Sequence, residues 1–222
     1  MPRHNSRHGV LAALLVVAVI LVAGGTAIAS NAGFKFNMPI VNLDGSGGQQ
    51  GHNWVSLPYF NPYATRDDVC TACGLAAGSS ITTIDTGGGV QQEFCGSAPS
   101  PLVPGEGIRI IQPAGGPANC IIVGSHDPTL QITLPAFNAD QGVGKFWFSV
   151  PYHTTAANRE QLCTQMGLNA ASWTQSILDD GSVFQQFCGP GADAALVLGE
   201  ALRISANNST MADPIMFTPA HF

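Results

Sequence analysis

The side chains best equipped for chemistry are six cysteines, at positions 70, 73, 95, 120, 163 and 188. Cys70-Thr-Ala-Cys73 has the C-x-x-C spacing of a redox couple or of half a metal site. A zinc site would need a second such pair, and none follows. A redox motif would sit at a strand-to-helix junction in a βαβ unit, and the surrounding residues do not read that way. Disulfide formation is the chemistry left to these thiols.

Carboxylates offer a second possibility. Ile84-Asp85-Thr86-Gly87 has the form of a strand end that, used once in each of two related lobes, lets two carboxylates share a proton, as in aspartic proteases. The stretch that would have to supply the partner, Ile177-Leu178-Asp179-Asp180-Gly181-Ser182, contains neither Asp-Thr-Gly nor Asp-Ser-Gly. A dyad cannot form within one chain, and Asp with Gly reads as a hairpin turn. Ser149, His153 and Asp179 make a Ser-His-Asp trio on paper, but no G-x-S-x-G elbow carries the serine. His52, His126, His153 and His221 do not fall at ligand spacing, so no metal and no cofactor is expected. Glu106 and Glu200 each follow a glycine and each precede an arginine by three residues, Arg109 and Arg203. They read either as a paired ligand-contacting patch or as solvated charges on a strand, where positions i and i+3 face opposite ways. Trp54 and Trp147 could stack on a sugar or fill a core. Trp54, Trp147, Glu106 and Glu200 are therefore the candidate binding residues.

These residues recur because the chain repeats. "NWVSLPY" at 53–59 answers "FWFSVPY" at 146–152. Trp54 and Trp147, Tyr59 and Tyr152, Cys70 and Cys163, Gly74 and Gly167, Phe94 and Phe187, and Cys95 and Cys188 are all separated by 93 positions. Glu106 and Glu200, and Arg109 and Arg203, are separated by 94. A constant offset with one inserted residue indicates tandem duplication. Each copy predicts the same elements. A strand ends at Pro-Tyr, a short helix follows, then a hairpin, then a strand led by Gly-Glu. The first helix is expected to be capped by Thr65 and stopped by Gly74, and the second to run over about 156–166.

The duplication also constrains the cysteines. The simplest pairing is Cys70–Cys95 and Cys163–Cys188, equally spaced in the two copies. Cys73 and Cys120 are left for a third bridge, absent from the second copy, where Met166 replaces Cys73. Six bridging cysteines suit an exported protein. The N-terminus agrees with this. Arg3 and Arg7 precede an apolar run over 10–23, and Ala27-Ile28-Ala29 gives a signal-peptidase site before Ser30. The same segment is long enough to serve as an uncleaved anchor, which is the one route to membrane attachment. Charged residues make up 10% of the chain, and the net charge is −6. The cations are scattered, which argues against nucleic acid as a partner. The 26 glycines and 15 prolines suit strands and turns.

Three apolar strand ends closed by proline, "FNMPI", "ITLPA" and "FTPA", serve two modules. By counting, Phe34 to Ile40 is left over as an edge that could pair with a second copy or a cell-surface partner. The succession W-x-S-[LV]-P-Y, Cys, Gln-x-Phe-Cys-Gly and Gly-Glu resembles a tandem module of uncharacterised exported bacterial proteins. It also resembles, more loosely, W-x-x-[IVL]-S-[LV]-P repeats appended to large cell-surface proteins. The resemblance covers most of 33–220 and implies a β-rich surface module, with no catalytic residues to carry over. Together these readings predict a signal peptide at 1–29 and two mainly-β sandwich- or barrel-like modules, at 30–128 and 129–222, each with one short helix and a structural disulfide. The expected function is that of a non-enzymatic extracytoplasmic structural, adhesive or binding protein, secreted, periplasmic or on the cell surface, with a secreted peptidase-like hydrolase as the alternative.

Overall fold

Two runs of short, β-branched and aromatic segments build two four-stranded antiparallel sheets of the same strand order. The computed structural model describes residues 33–42, 51–84, 89–117, 119–125, 131–134, 144–178, 181–207 and 215–218. Its elements are β1 (Phe34–Pro39), β2 (His52–Ser56), α1 (Arg66–Cys73), β3 (Ser80–Ile84), β4 (Val90–Phe94), β5 (Gly107–Ile111), β6 (Asn119–Gly124), β7 (Ile132–Leu134), β8 (Gly144–Ser149), α2 (Arg159–Gln165), β9 (Trp173–Ile177), β10 (Val183–Phe187), β11 (Ala201–Ala206) and β12 (Ile215–Phe217). The first sheet runs β2-β5-β3-β4 and the second β8-β11-β9-β10. The mainly-β class is as expected, with open sheets in place of closed barrels.

The helices begin where local chemistry allows. Thr65 and Asp68 form a capping box at α1, and Gly74, at φ 60°, ends it in the left-handed region. Asn158 caps α2 through Gln161 N–H, so the second helix starts about three residues later than its sequence suggests. The three disulfides pair Cys70 with Cys95, Cys73 with Cys120, and Cys163 with Cys188. Two of them tie each helix to the end of its hairpin, and the third ties α1 to β6.

The leading strands correct one expectation. Phe34–Ile40 is not left over. β1 pairs antiparallel with β6, from Phe34 opposite Gly124 to Pro39 opposite Asn119, and Met38 and Ile40 are buried in the first core. β7 pairs with β12, so "ITL" and "IMF" form the ribbon of the second half. The strand count missed β6, "NCIIVG", because no proline closes it. Each core thus lies among a four-stranded sheet, one helix and a two-stranded ribbon. The first is built from residues such as Val55, Val69, Ile81, Ile108 and Ile122, the second from Phe148, Leu162, Leu202, Ile204 and Phe217.

β2 and β8 are edge strands of their sheets, yet β2 is buried along almost its whole length and the described side chains of β8 are buried after Lys145. Something other than water covers them, since an open edge would present unpaired backbone groups. The cover is the other half of the chain, and 34–222 forms one compact unit.

Candidate functional site

The repeated phrases meet at a seam with approximate two-fold symmetry. Ser56 N–H donates to Gly199 O (2.8 Å), and Ser149 N–H donates to Gly105 O (3.0 Å). The Ser56 hydroxyl donates to Glu200 O (2.6 Å) and accepts from Val150 N–H (2.8 Å). The Ser149 hydroxyl donates to Glu106 O (2.7 Å) and accepts from Leu57 N–H (2.9 Å). Tyr59 Oη donates to Ser149 O and Tyr152 Oη to Ser56 O, each at 3.1 Å. Burial pushes both phenols up from their ordinary values, so they remain protonated donors.

Local structure explains why these residues are needed. Serine is small enough to sit fully buried while giving and taking one hydrogen bond each way. Gly105 and Gly199 lie at φ 83° and 86°. A Cβ on Gly105 would stand 2.6 Å from the Ile132 side chain, and one on Gly199 would stand 2.3 Å from Phe36. Both conformation and space therefore demand glycine. Each Pro-Tyr reaches across the seam. Tyr59 belongs to the second core, and Tyr152 packs edge-on against Phe36 at 5.7 Å.

The candidate binding residues fall on this seam. Trp54 and Trp147 are buried against one another with ring centroids 5.9 Å apart. The Arg109 guanidinium lies 5.2 Å over the Trp147 ring, and Arg203 lies 5.8 Å over Trp173. Glu106 and Glu200 are half-buried, and their backbone carbonyls serve the seam. Ser149 is fully buried with its hydroxyl engaged by Glu106 and Leu57. His153 is half-buried. Asp85 with its Thr-Gly, His126, Asp179, His221 and the 1–29 segment lie outside the described residues. Among the described residues no group of three or more His, Cys, Asp or Glu gathers as a metal site.

Sequence reasoning saw Arg66 and Arg159 only as scattered cations. They open the two helices at equivalent positions and are buried, 4% and 3% exposed. Arg66 donates to Thr83 Oγ1, and Arg159 to Ser176 Oγ, again equivalent positions. The one signal available was their shared offset of 93.

Arg159 also lines a cleft of about 850 Å³ between β1 and β2 on one side and β9, β10 and the 194–200 turn on the other. Its walls are mainly apolar, with Phe36, Met38, Trp54, Ile177, Phe184 and Leu198 prominent. His52, Arg159 and Glu200 are its charged or titratable members. Burial, followed by the charge of Arg109, holds the His52 imidazole below its ordinary value. Burial also lowers the Arg159 guanidinium, and the charge of Glu200 opposes that fall. An apolar concavity with a few polar groups has the size and lining of a ligand site.

Comparison with protein-family models, with curated proteins and with solved structures finds no match.

Proposed function

We propose that this chain is an extracytoplasmic bacterial protein of the envelope or the secreted fraction, that it acts by binding and not by catalysis, and that its halves are copies of one duplicated module. Three disulfides fit an oxidising compartment. No described helix is long and apolar enough to cross a membrane. The observation that carries the binding reading is the cleft of about 850 Å³ and its mainly apolar lining. The serines and tyrosines of the repeated phrase are spent on holding the halves together, which supports a scaffold role for the phrase.

Native mass spectrometry of the protein purified from its exported fraction, alongside peptide and ester turnover assays, tests this reading. A bound small molecule released on denaturation is expected. Turnover of a peptide or ester that disappears in His153→Ala would overturn the reading in favour of a hydrolase.

A further inference from the structure

One electrostatic difference between the two halves lies beside the arginines that open the helices. In the first, Glu93 lies 3.7 Å from the buried Arg66 guanidinium and accepts a hydrogen bond from the Ser100 hydroxyl. In the second, Gln186 stands at the position equivalent to Glu93, and Asp193 at that of Ser100. The acid and its neutral partner have changed places. Gln186 gives its amide to Gly191 O (2.9 Å) and to Asp193 Oδ1 (3.4 Å), and Asp193 is exposed. Among the described residues the Arg159 guanidinium therefore lacks the ion-paired carboxylate that Arg66 has. It is held by the carbonyl and hydroxyl of Thr174, by the hydroxyl of Ser176 and by the Phe184 ring at 4.8 Å.

Among the described residues its Nε–H has no hydrogen-bond partner, a feature it shares with Arg66, and neither does the indole N–H of Trp54, a second buried residue of the same cleft. Among the described residues the counter-charge acting on Arg159 is Glu200, beyond ion-pair distance, and a buried cation so placed is costly unless a closer carboxylate completes it. Arginine pairs well with a carboxylate, and the surrounding wall is apolar. Glu200 also lines the cleft and would repel a dianion more strongly than a monoanion.

Resting on the binding reading above, we infer that the cleft takes a free single-chain amphiphilic carboxylate, with its head at Arg159 and its chain along the wall formed by Phe36, Met38 and Leu198.

The test is calorimetric titration of the mature, disulfide-complete protein with palmitic acid and with hexadecanol, both below their aggregation concentrations. The acid should bind at least tenfold more tightly than the alcohol. The double variant Gln186→Glu/Asp193→Ser rebuilds the first half's acid–hydroxyl pair beside Arg159. It should lose at least tenfold in acid affinity and none for the alcohol. If that variant does not fold, Leu198→Glu, at an exposed position on the same wall, should weaken both probes and the acid at least tenfold more than the alcohol. Equal affinity for acid and alcohol, no binding of either, or an acid affinity indifferent to these substitutions would overturn the inference. So would flotation with phosphatidylglycerol vesicles that is lost in the same variants, because the occupant would then be a membrane. A protein that binds neither probe but retains a small molecule of its own refutes the carboxylate and leaves the binding reading intact. Turnover lost in His153→Ala refutes the binding reading itself.

Discussion

Ser56 and Ser149 complete each other's strand ends. The hydroxyl of each donates to a glutamate carbonyl in the opposite half and accepts the N–H that follows its counterpart. Both are fully buried. Replacing either strands a carbonyl and an N–H away from water. Ser56→Ala and Ser149→Ala should each cost about 1–3 kcal/mol in urea unfolding. Because the two share one network, the double variant should depart from the sum of the single effects. Single losses within experimental error of zero would show that the seam hydrogen bonds contribute no net stability.

Cys163–Cys188 closes a loop with a sequence separation of 25 and anchors α2 to the end of β10. The double variant Cys163→Ala/Cys188→Ala should cost about 2–5 kcal/mol. Non-reducing peptide maps of the exported protein should contain the same three pairs as the structure. A bridge between the halves would contradict the fold.

The N-terminus of the exported protein should be Ser30, read by intact mass, given the Ala27-Ile28-Ala29 site. Recovery of the full-length chain in the membrane fraction would make the segment an anchor.

His52 should make stability depend on pH. The fold holds its imidazole below the ordinary value near 6.5, chiefly by burial and then through Arg109. Below that value the unfolded chain takes up a proton that folded His52 resists. The contribution is therefore present above about pH 6.5 and is lost as pH falls through the folded value. Between pH 7.5 and 5 the urea midpoint of the wild type should fall more than that of His52→Asn. Parallel declines would remove His52 from the account.

Much of the local structure was legible because it depends on near neighbours. Thr65 with Asp68, Gly74, and the equal spacing of Cys70–Cys95 and Cys163–Cys188 specify helix ends and staples without distant information. The seam was not legible in the same way. The W-x-S phrase showed that Ser56 and Ser149 recur, but not that each recurrence is the other's partner. β6 lies outside the count of proline-closed strands because no proline ends "NCIIVG", although its β-branched Ile121, Ile122 and Val123 suit a strand, and its pairing with β1 spans most of one module. Arg159 looked like any surface cation. Its burial follows from Ser176 and Thr174 on β9, and its isolation from the exchange of acid between Gln186 and Asp193, which has meaning only once Arg66 and Glu93 are seen together.

The central claim is that the halves form one body through the seam of Ser56, Ser149, Tyr59 and Tyr152. Scanning calorimetry of the mature, disulfide-intact protein tests it most directly. The account predicts one transition whose calorimetric and van't Hoff enthalpies agree. Two resolved transitions, each with about half the enthalpy and neither moved by Ser149→Ala, would show two independent modules and contradict it.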